Sequence, residues 1–328
     1  MSSIREVAKL ANVSPATVSR VMNGTATVAP ETRNRVLAAI EQTGFIPNEV
    51  ARTLYKKSAK TIGLIIPSIL NPFFTQLASC IDDLAGQQGY RLLLCNVGDD
   101  LEKERSAMQM LCATNVDGII FASNNEDIQE YLRFCTVPLV ALDTHFDSPH
   151  VAAYIHCDYY AGGRMAAEHL LDCGCKNIVC IKGPQHFFSA RKRYEGYRDV
   201  CRERGLTEQT VDCDYDFLAG MAMTETLLTR FPSVDGIIAC NDIVAISIYK
   251  ILHKKGISVP NQIQLIGFDD IDAATLISPE LSTIRQPIWE MAEKVISLLL
   301  QPRADIPRGQ EYIFPTTLLL RETTKKHL

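Results

Sequence analysis

The 328-residue chain predicts an all-α helix-turn-helix headpiece over residues 1–46 and an α/β core of two doubly wound parallel-sheet lobes over 61–328. Through the first 45 residues apolar side chains recur at helical spacing, with proline start signals and a glycine stop. From Thr61 the pattern changes to short, nearly continuous apolar runs, most of them separated by helical segments of about 10–18 residues, which is the alternation of parallel sheets. A dozen or so such elements exceed one sheet, and the chain is too long for one small core, so two lobes are expected.

In the headpiece, Ile4, Val7, Ala8 and Ala11 share one face of a first helix. After the short connection ANV, Ser14 and Pro15 begin a second: the hydroxyl can cap free N–H groups and proline is pre-set for the first helical position. Val18, Val21 and Met22 line its inner face; Ala16, Arg20 and Asn23 lie opposite, with Thr17 and Ser19 on the flanks. Pro30 and Glu31 open a third helix with Val36, Leu37 and Ile40 inward, and Gly44 ends it. Two helices joined this closely suit a major groove entered by the N-terminal end of the second. Arg20 can form a bidentate pair with guanine O6 and N7. The plain alternative is a three-helix bundle with a solvated polar face. Residues 47–60 read as a hinge helix and linker: PNEVARTLYKK puts Val50, Ala51 and Leu54 on one side of a helix too short to be stable alone. Such a stripe needs a partner surface, either the same segment of a second subunit or a minor groove.

The charge supports this division. The whole chain carries −5, but residues 1–60 hold nine Lys or Arg against four Glu, so the remainder carries −10. A basic head on an acidic body suggests that only the head meets a polyanion. Composition fits a soluble protein, and the sequence has neither a run of about 18 apolar residues nor the marks of a signal peptide, so no membrane partner and a cytoplasmic location are expected. Cys95, Cys180 and Cys240 sit in apolar runs and read as buried thiols of a reducing compartment. Cys173 and Cys175 lack a second pair at zinc-site spacing, so no metal and no cofactor are expected.

At this point the head closely resembles the LacI family of bacterial transcription repressors. IREVAKLANVSPATVSRVMNG and VAPETRNRVLAAIEQTGFIPNEVARTL follow the family headpiece and hinge almost position for position, without gaps. The resemblance implies that Ser14, Pro15, Ala16, Thr17, Ser19, Arg20 and Asn23 meet operator DNA. It also implies that the hinge folds on DNA through Asn48, Ala51, Leu54 and Tyr55, with Leu54 as the minor-groove lever. Pro15 and Ala16 offer no hydrogen bonds, which shifts readout towards Thr17, Arg20, Asn23 and a thymine-methyl contact from Ala16.

Strands TIGLIIP, RLLLCNV, GIIFAS, PLVALD, NIVCIKG, GIIACN and IQLIGFD are apolar enough to be buried on both faces. One lobe is expected over about 61–159 and 288–318, the other over about 160–287 and 319–328. Ligands of open α/β sheets bind at the carboxyl ends of strands. There stand Asn71, Phe73, Phe74, Ser123, Asp143, Arg191, Tyr215, Asn241, Asp269 and Gln286. Carboxylates, amides and an arginine can bind vicinal hydroxyls, and aromatic rings can sandwich a sugar. Any one of these residues is as readily a helix cap or a core ring; the convergence of the set favours a sugar cleft.

The body resembles periplasmic sugar-binding proteins and, within the family, ribose repressors. That resemblance assigns Asn71, Phe73 and Phe74 to one sugar face and Asp143, Arg191, Asn241, Asp269 and Gln286 to hydroxyls. Tyr215 stands where the pattern has phenylalanine, Ser123 where it has asparagine, and Thr144 where it has arginine. Ribose, a related pentose or a phosphorylated sugar fits.

Other functions are weaker fits. His145, His150, His156, His169 and His186 are scattered without a paired nucleophile or metal spacing, and dinucleotide and P-loop patterns are absent, which argues against an enzyme. A free sugar-transport protein would need an export signal and no basic head. A carbon-control regulator answering to a phosphorylated phosphocarrier protein is the alternative within the family, although Arg191 is a feature such members generally lack. The expectation is a homodimeric repressor of a pseudo-palindromic operator in double-stranded DNA, with ribose or a relative as effector. No leucine-heptad tail follows Leu320, so no tetramer through such a tail is expected.

Overall fold

The computed structural model describes residues 3–23, 27–45, 58–122, 128–133, 135–146, 148–302, 305–306 and 308–325, without the side chains of 23, 129 and 130. It divides into two compact units, residues 1–59 and 60–328. Among the described residues no helix is long and apolar enough to cross a membrane.

The first unit holds α1 (Ile4–Leu10), α2 (Pro15–Asn23) and α3 (Pro30–Thr43). A capping box starts α1: the Glu6 N–H donates to Ser3 Oγ at 3.3 Å, and the Ser3 N–H to Glu6 Oε2 at 2.8 Å. Pro15 opens α2, and Ser14 Oγ accepts from the Thr17 N–H at 3.1 Å. Val7, Ala8, Ala11, Val18, Val21, Val36 and Ala39 form the core. Leu37, expected inward, is 47% exposed. The inward stripe of α3 runs Val36, Ala39, Ile40, and Leu37 lies about 100° round the helix from Val36. The small Ala39 lets the three helices close together without it.

The second unit runs β1 (Thr61–Ile66), α4 (Pro72–Gln87), β2 (Arg91–Asn96), α5 (Leu101–Ala113), β3 (Gly118–Phe121), α6 (Gln129–Leu132), β4 (Leu139–Leu142) and β5 (Ala153–Cys157). It continues with α7 (Tyr159–Asp172), β6 (Ile178–Lys182), α8 (Phe188–Arg204), β7 (Gln209–Asp212), α9 (Phe217–Arg230), β8 (Gly236–Ile238), α10 (Asp242–Lys254), β9 (Gln264–Asp269) and β10 (Ser282–Arg285). It closes with α11 (Ile288–Leu299), β11 (Gln310–Phe314) and β12 (Thr317–Leu319). Two six-stranded sheets result, in the orders β11-β5-β4-β3-β1-β2 and β12-β10-β9-β8-β6-β7. Every pairing in the first is parallel; in the second, β12 lies antiparallel on β10, so that sheet is mixed rather than wholly parallel.

Burial on both faces explains most of the unbroken apolar strands, but not RLLLCNV: β2 is the edge strand of its sheet, with Leu94 42% exposed and Cys95 only half-buried, so neither is the buried position expected. Ile62, Leu64 and Ile66 of β1 pack in one cluster with Leu77 and Ile81 of α4 and Val295 of α11. Ile65, from the opposite face, packs with Met108 and Leu111 of α5. The chain passes between the sheets after β5, after β10 and after β11. The last crossing falls a little ahead of the boundary expected at about 318, because β12 belongs to the second sheet from Thr317.

Helices α7 and α8 touch backbone to backbone. A Cβ on Gly163 would lie 2.0 Å from the Arg193 carbonyl oxygen, and one on Gly196 would lie 2.3 Å from that of Tyr160. Glycine at both positions is what permits the approach, and the approach fixes where the first turns of α8 stand.

Candidate functional site

On the headpiece, Ser14, Pro15, Ala16 and Arg20 are exposed, while Thr17 and Ser19 are half-buried. Ser14 Oγ and Thr17 Oγ1 lie 2.9 Å apart, so both hydroxyls already serve the helix start. Arg20 makes no ion pair with any described residue. Asn23 ends α2, but its side chain lies outside the described residues, as do Asn48, Ala51, Leu54, Tyr55 and Ser123.

In the second unit a narrow, partly open cleft, about 320 Å³ with its solvent-open mouth counted, lies among the carboxyl ends of strands from both sheets. Its lining includes seven residues expected from the sequence: Asn71, Phe73, Phe74, Asp143, Tyr215, Asn241 and Asp269. Asn71 caps α4, its Oδ1 accepting from the Phe73 N–H at 3.1 Å. The rings of Phe73 and Phe74 meet edge to face at 5.1 Å, and both are largely core. Asn241 caps α10 through Oδ1, which accepts from the Val244 N–H at 2.9 Å. Gln286 does not line the space directly; its Nε2 donates to Asp269 Oδ1 at 2.7 Å from the chain crossing after β10.

Arg191 does not reach this space; Arg193 does. The buried stripe of α8 includes Ser189, Gly196, Tyr197 and Val200, and Arg193 falls on it at i+4 from Ser189. Arg191 is about 200° round the helix from Arg193 and donates instead to the Gln185 carbonyl at 3.4 Å. Applying helical spacing within SARKRYEGY would have selected Arg193. Phe187 and Ser189 also line the space and carry no strand-end signal in the sequence.

Arg193 organises the site. Nη1 donates to the Cys240 carbonyl at 2.8 Å and Nη2 to Asp269 Oδ1 at 3.3 Å. The guanidinium stacks 3.7 Å from the Phe268 ring centroid. Asp143 accepts from the Tyr159 hydroxyl. Burial raises the Asp143 carboxyl, with Arg193 opposing. It also pushes Asp269 up to about 7, again against Arg193 and the Gln286 hydrogen bond. Burial works to lower the Arg193 guanidinium, but Tyr215, Asp269 and Asp143 outweigh it and hold the cation.

Four buried polar atoms without a partner gather at this one place: Arg193 Nε, Tyr215 Oη, Asn241 Nδ2 and Gln286 Oε1. Unpaired buried groups are costly and rare, and three donors on lining residues, with the Gln286 acceptor beside Asp269, suit a small polyhydroxy compound. Both carboxylates are also held at positive φ, +59° for Asp143 and +115° for Asp269, so their backbones turn where few side chains are tolerated. Among the described residues no cluster of His, Cys, Asp and Glu could hold a metal ion.

Residues 59–313 match the family described as periplasmic binding proteins and sugar binding domain of LacI family, and residues 3–48 match bacterial regulatory proteins, lacI family. The chain belongs to the LacI family. A ribose operon repressor of Halalkalibacterium halodurans is 39% identical over 328 residues, spanning 99% of this chain and 98% of that one. The lac repressor dimer bound to operator and the anti-inducer ONPF superposes with a TM-score of 0.89 at 27% identity, over 98% of both chains. A periplasmic binding protein/LacI regulator from Alkaliphilus metalliredigens, complexed with D-xylulofuranose, superposes with a TM-score of 0.74 at 38% identity, over 81% of this chain and all of that one. As a LacI-family member the chain is a DNA-binding transcriptional repressor, not an enzyme.

Ionisation of Asp269 gives the site a pH signature. A ligand whose hydroxyls donate to the ionised carboxylate would release a proton on binding wherever Asp269 is protonated in the free protein. Affinity should rise with pH by up to about tenfold per unit below 7 and level off above it. The free protein should show the opposite trend in this one contribution: the raised carboxyl favours the fold at low pH and ceases to do so as pH climbs towards 7. Calorimetry from pH 5.5 to 8.5 checks the first statement; Asp269→Asn should flatten the slope, and an unchanged slope would place the linked proton elsewhere.

Proposed function

We propose that the chain is a cytoplasmic, homodimeric repressor that binds a pseudo-palindromic operator through α2 and releases it when ribose, or a close pentose relative, fills the space between the two sheets. The supporting observation is the convergence of the four unpartnered polar atoms around Arg193, Asp143 and Asp269. The name of the Halalkalibacterium halodurans relative supports ribose, and the ligand of the Alkaliphilus metalliredigens protein supports a pentose. Two carboxylates against one guanidinium disfavour a sugar phosphate.

In this reading Arg20 reads a guanine, the flanking hydroxyls position the helix on phosphates, and Asn23 contributes a further base contact. Asn48, Ala51, Leu54 and Tyr55 form a hinge that DNA orders, Leu54 wedging into a pyrimidine–purine step. The arrangement needs two-fold symmetry. Sugar acts at a distance only by favouring one lobe arrangement, and operator must then lower sugar affinity by the same factor that sugar lowers operator affinity.

Titrating ribose with and without saturating operator, at fixed salt, tests the whole reading. Weaker ribose binding on operator is expected. Equal affinities would remove the inducer mechanism, tighter binding would make the sugar a corepressor, and no binding until a seryl-phosphorylated phosphocarrier protein is added would favour carbon control. Arg20→Ala should weaken specific operator binding by about 1–3 kcal/mol and relax one base pair per half-site. An equal loss on random DNA would show that Arg20 only contacts phosphate.

A further inference from the structure

Opposite the sugar space, at the end of the first sheet where its strands begin, two thiols touch. Cys112, in the last turn of α5, and Cys135, just ahead of β4, have sulfurs 3.7 Å apart. Both are half-buried. Cys135 also lines an open groove with Pro138, Pro149, His150, Ile306 and Arg308, so solvent-borne reagents reach it. Arg308 is exposed at the groove and favours reagents bearing carboxylates. The pair is remote in topology from Arg193 and Asp269: β3 and β4 start beside it, whereas the sugar space lies beyond the carboxyl end of β4, at Asp143.

We propose that Cys112 and Cys135 form a dithiol site that exchanges with low-molecular-weight disulfides and closes to an internal disulfide. The thiolate of Cys135 attacks one sulfur of the small disulfide. A mixed disulfide forms, the small S–S bond breaks, and one small thiolate leaves and takes up a proton. Cys112, after losing its own proton, attacks the Cys135 sulfur, forms the internal bond and expels the second small thiol. Two protein thiols are oxidised and one small disulfide is reduced to two thiols. The contact distance makes the second step intramolecular and fast relative to the first. Burial pushes the Cys135 thiol up to about 12, so the first step quickens as pH rises. The bridge would tie the end of α5 to the entry of β4, enclosing β3.

The test uses the full chain and oxidised glutathione at pH 7.5 and 8.5, followed by alkylation and a non-reducing tryptic map. The two thiols fall in separate tryptic peptides, 106–133 and 134–164. The expected product joins these peptides, with fragment ions placing the bond at Cys135 rather than Cys157, forms several-fold faster at pH 8.5, and reverts with dithiothreitol while circular dichroism stays native. Cys112→Ser should stop at a glutathione adduct on Cys135. Recovery of both cysteines as free thiols, as separate stable adducts, or bridged to other cysteines would overturn the proposal.

Discussion

Arg193→Ala should all but abolish sugar binding, while Arg191→Ala should leave it within about threefold of the parent. Among the described residues Arg193 is the one cation lining the space between the sheets, and its fork spans the Cys240 carbonyl and Asp269 over the Phe268 ring. Its removal leaves Asp143 and Asp269 buried without their counter-charge and takes away the unpartnered Nε. Truncating one partner of a buried, hydrogen-bonded charge pair costs about 2–5 kcal/mol, roughly 30-fold to a few thousand-fold in Kd. Arg193→Lys should recover only part of the loss, because an ammonium cannot serve the carbonyl, the carboxylate and the ring at once. Calorimetry with ribose on all three variants measures this. A larger loss from Arg191→Ala than from Arg193→Ala would mean that α8 presents its other face to the sugar.

Gly163→Ala should produce a large loss of stability from a single methyl group. The added Cβ meets the carbonyl oxygen of Arg193 at 2.0 Å, and backbone cannot swing aside as a side chain can. Overpacking of this kind costs about 1–3 kcal/mol and occasionally more, and a backbone clash belongs at the upper end. We expect a melting temperature lower by about 5 °C. Sugar affinity should fall as well, because the displaced peptide carries Arg193. Gly86→Ala is the control: it lies in α4 with nothing within 4 Å of the added atom, and should be neutral or stabilising by up to about 1 kcal/mol. A melting temperature for Gly163→Ala equal to that of Gly86→Ala would mean that the two helices can separate without penalty.

How far the sequence disclosed this architecture varied with chemistry. Strands buried on both faces, such as Ile62–Ile66 and Gln264–Asp269, announced themselves as apolar runs. The strands β5, β7, β10, β11 and β12 did not. Ser282 and Thr283 of β10 are fully buried but polar, satisfied by Thr324 and Asp242, and β11 is exposed along an edge. The antiparallel β12 is a three-residue strand with no periodicity to read. At the sugar space, strand-end residues were legible because strand ends are, which brought Asn71, Asp143, Asn241 and Asp269 together. The helix-borne arginine is not legible, because the two arginines in SARKR look alike until the helix is phased by its buried stripe, and Arg193 rather than Arg191 then faces the space. Leu37 shows the same difficulty in the headpiece: its hydrophobicity is a poor guide where a small neighbour, Ala39, fills the contact.

The left-handed backbone beneath the two cavity carboxylates bears on any effort to build a sensor for another effector from this protein. At Asp143 and Asp269 most replacement side chains would be strained whatever ligand they faced, so a library randomised there would report backbone tolerance before it reported recognition. Asparagine and glycine are the substitutions that separate the two effects. Tyr215 and Ser189 carry no such backbone constraint, so retargeting would start more productively from them, with the two aspartates kept as fixed anchors.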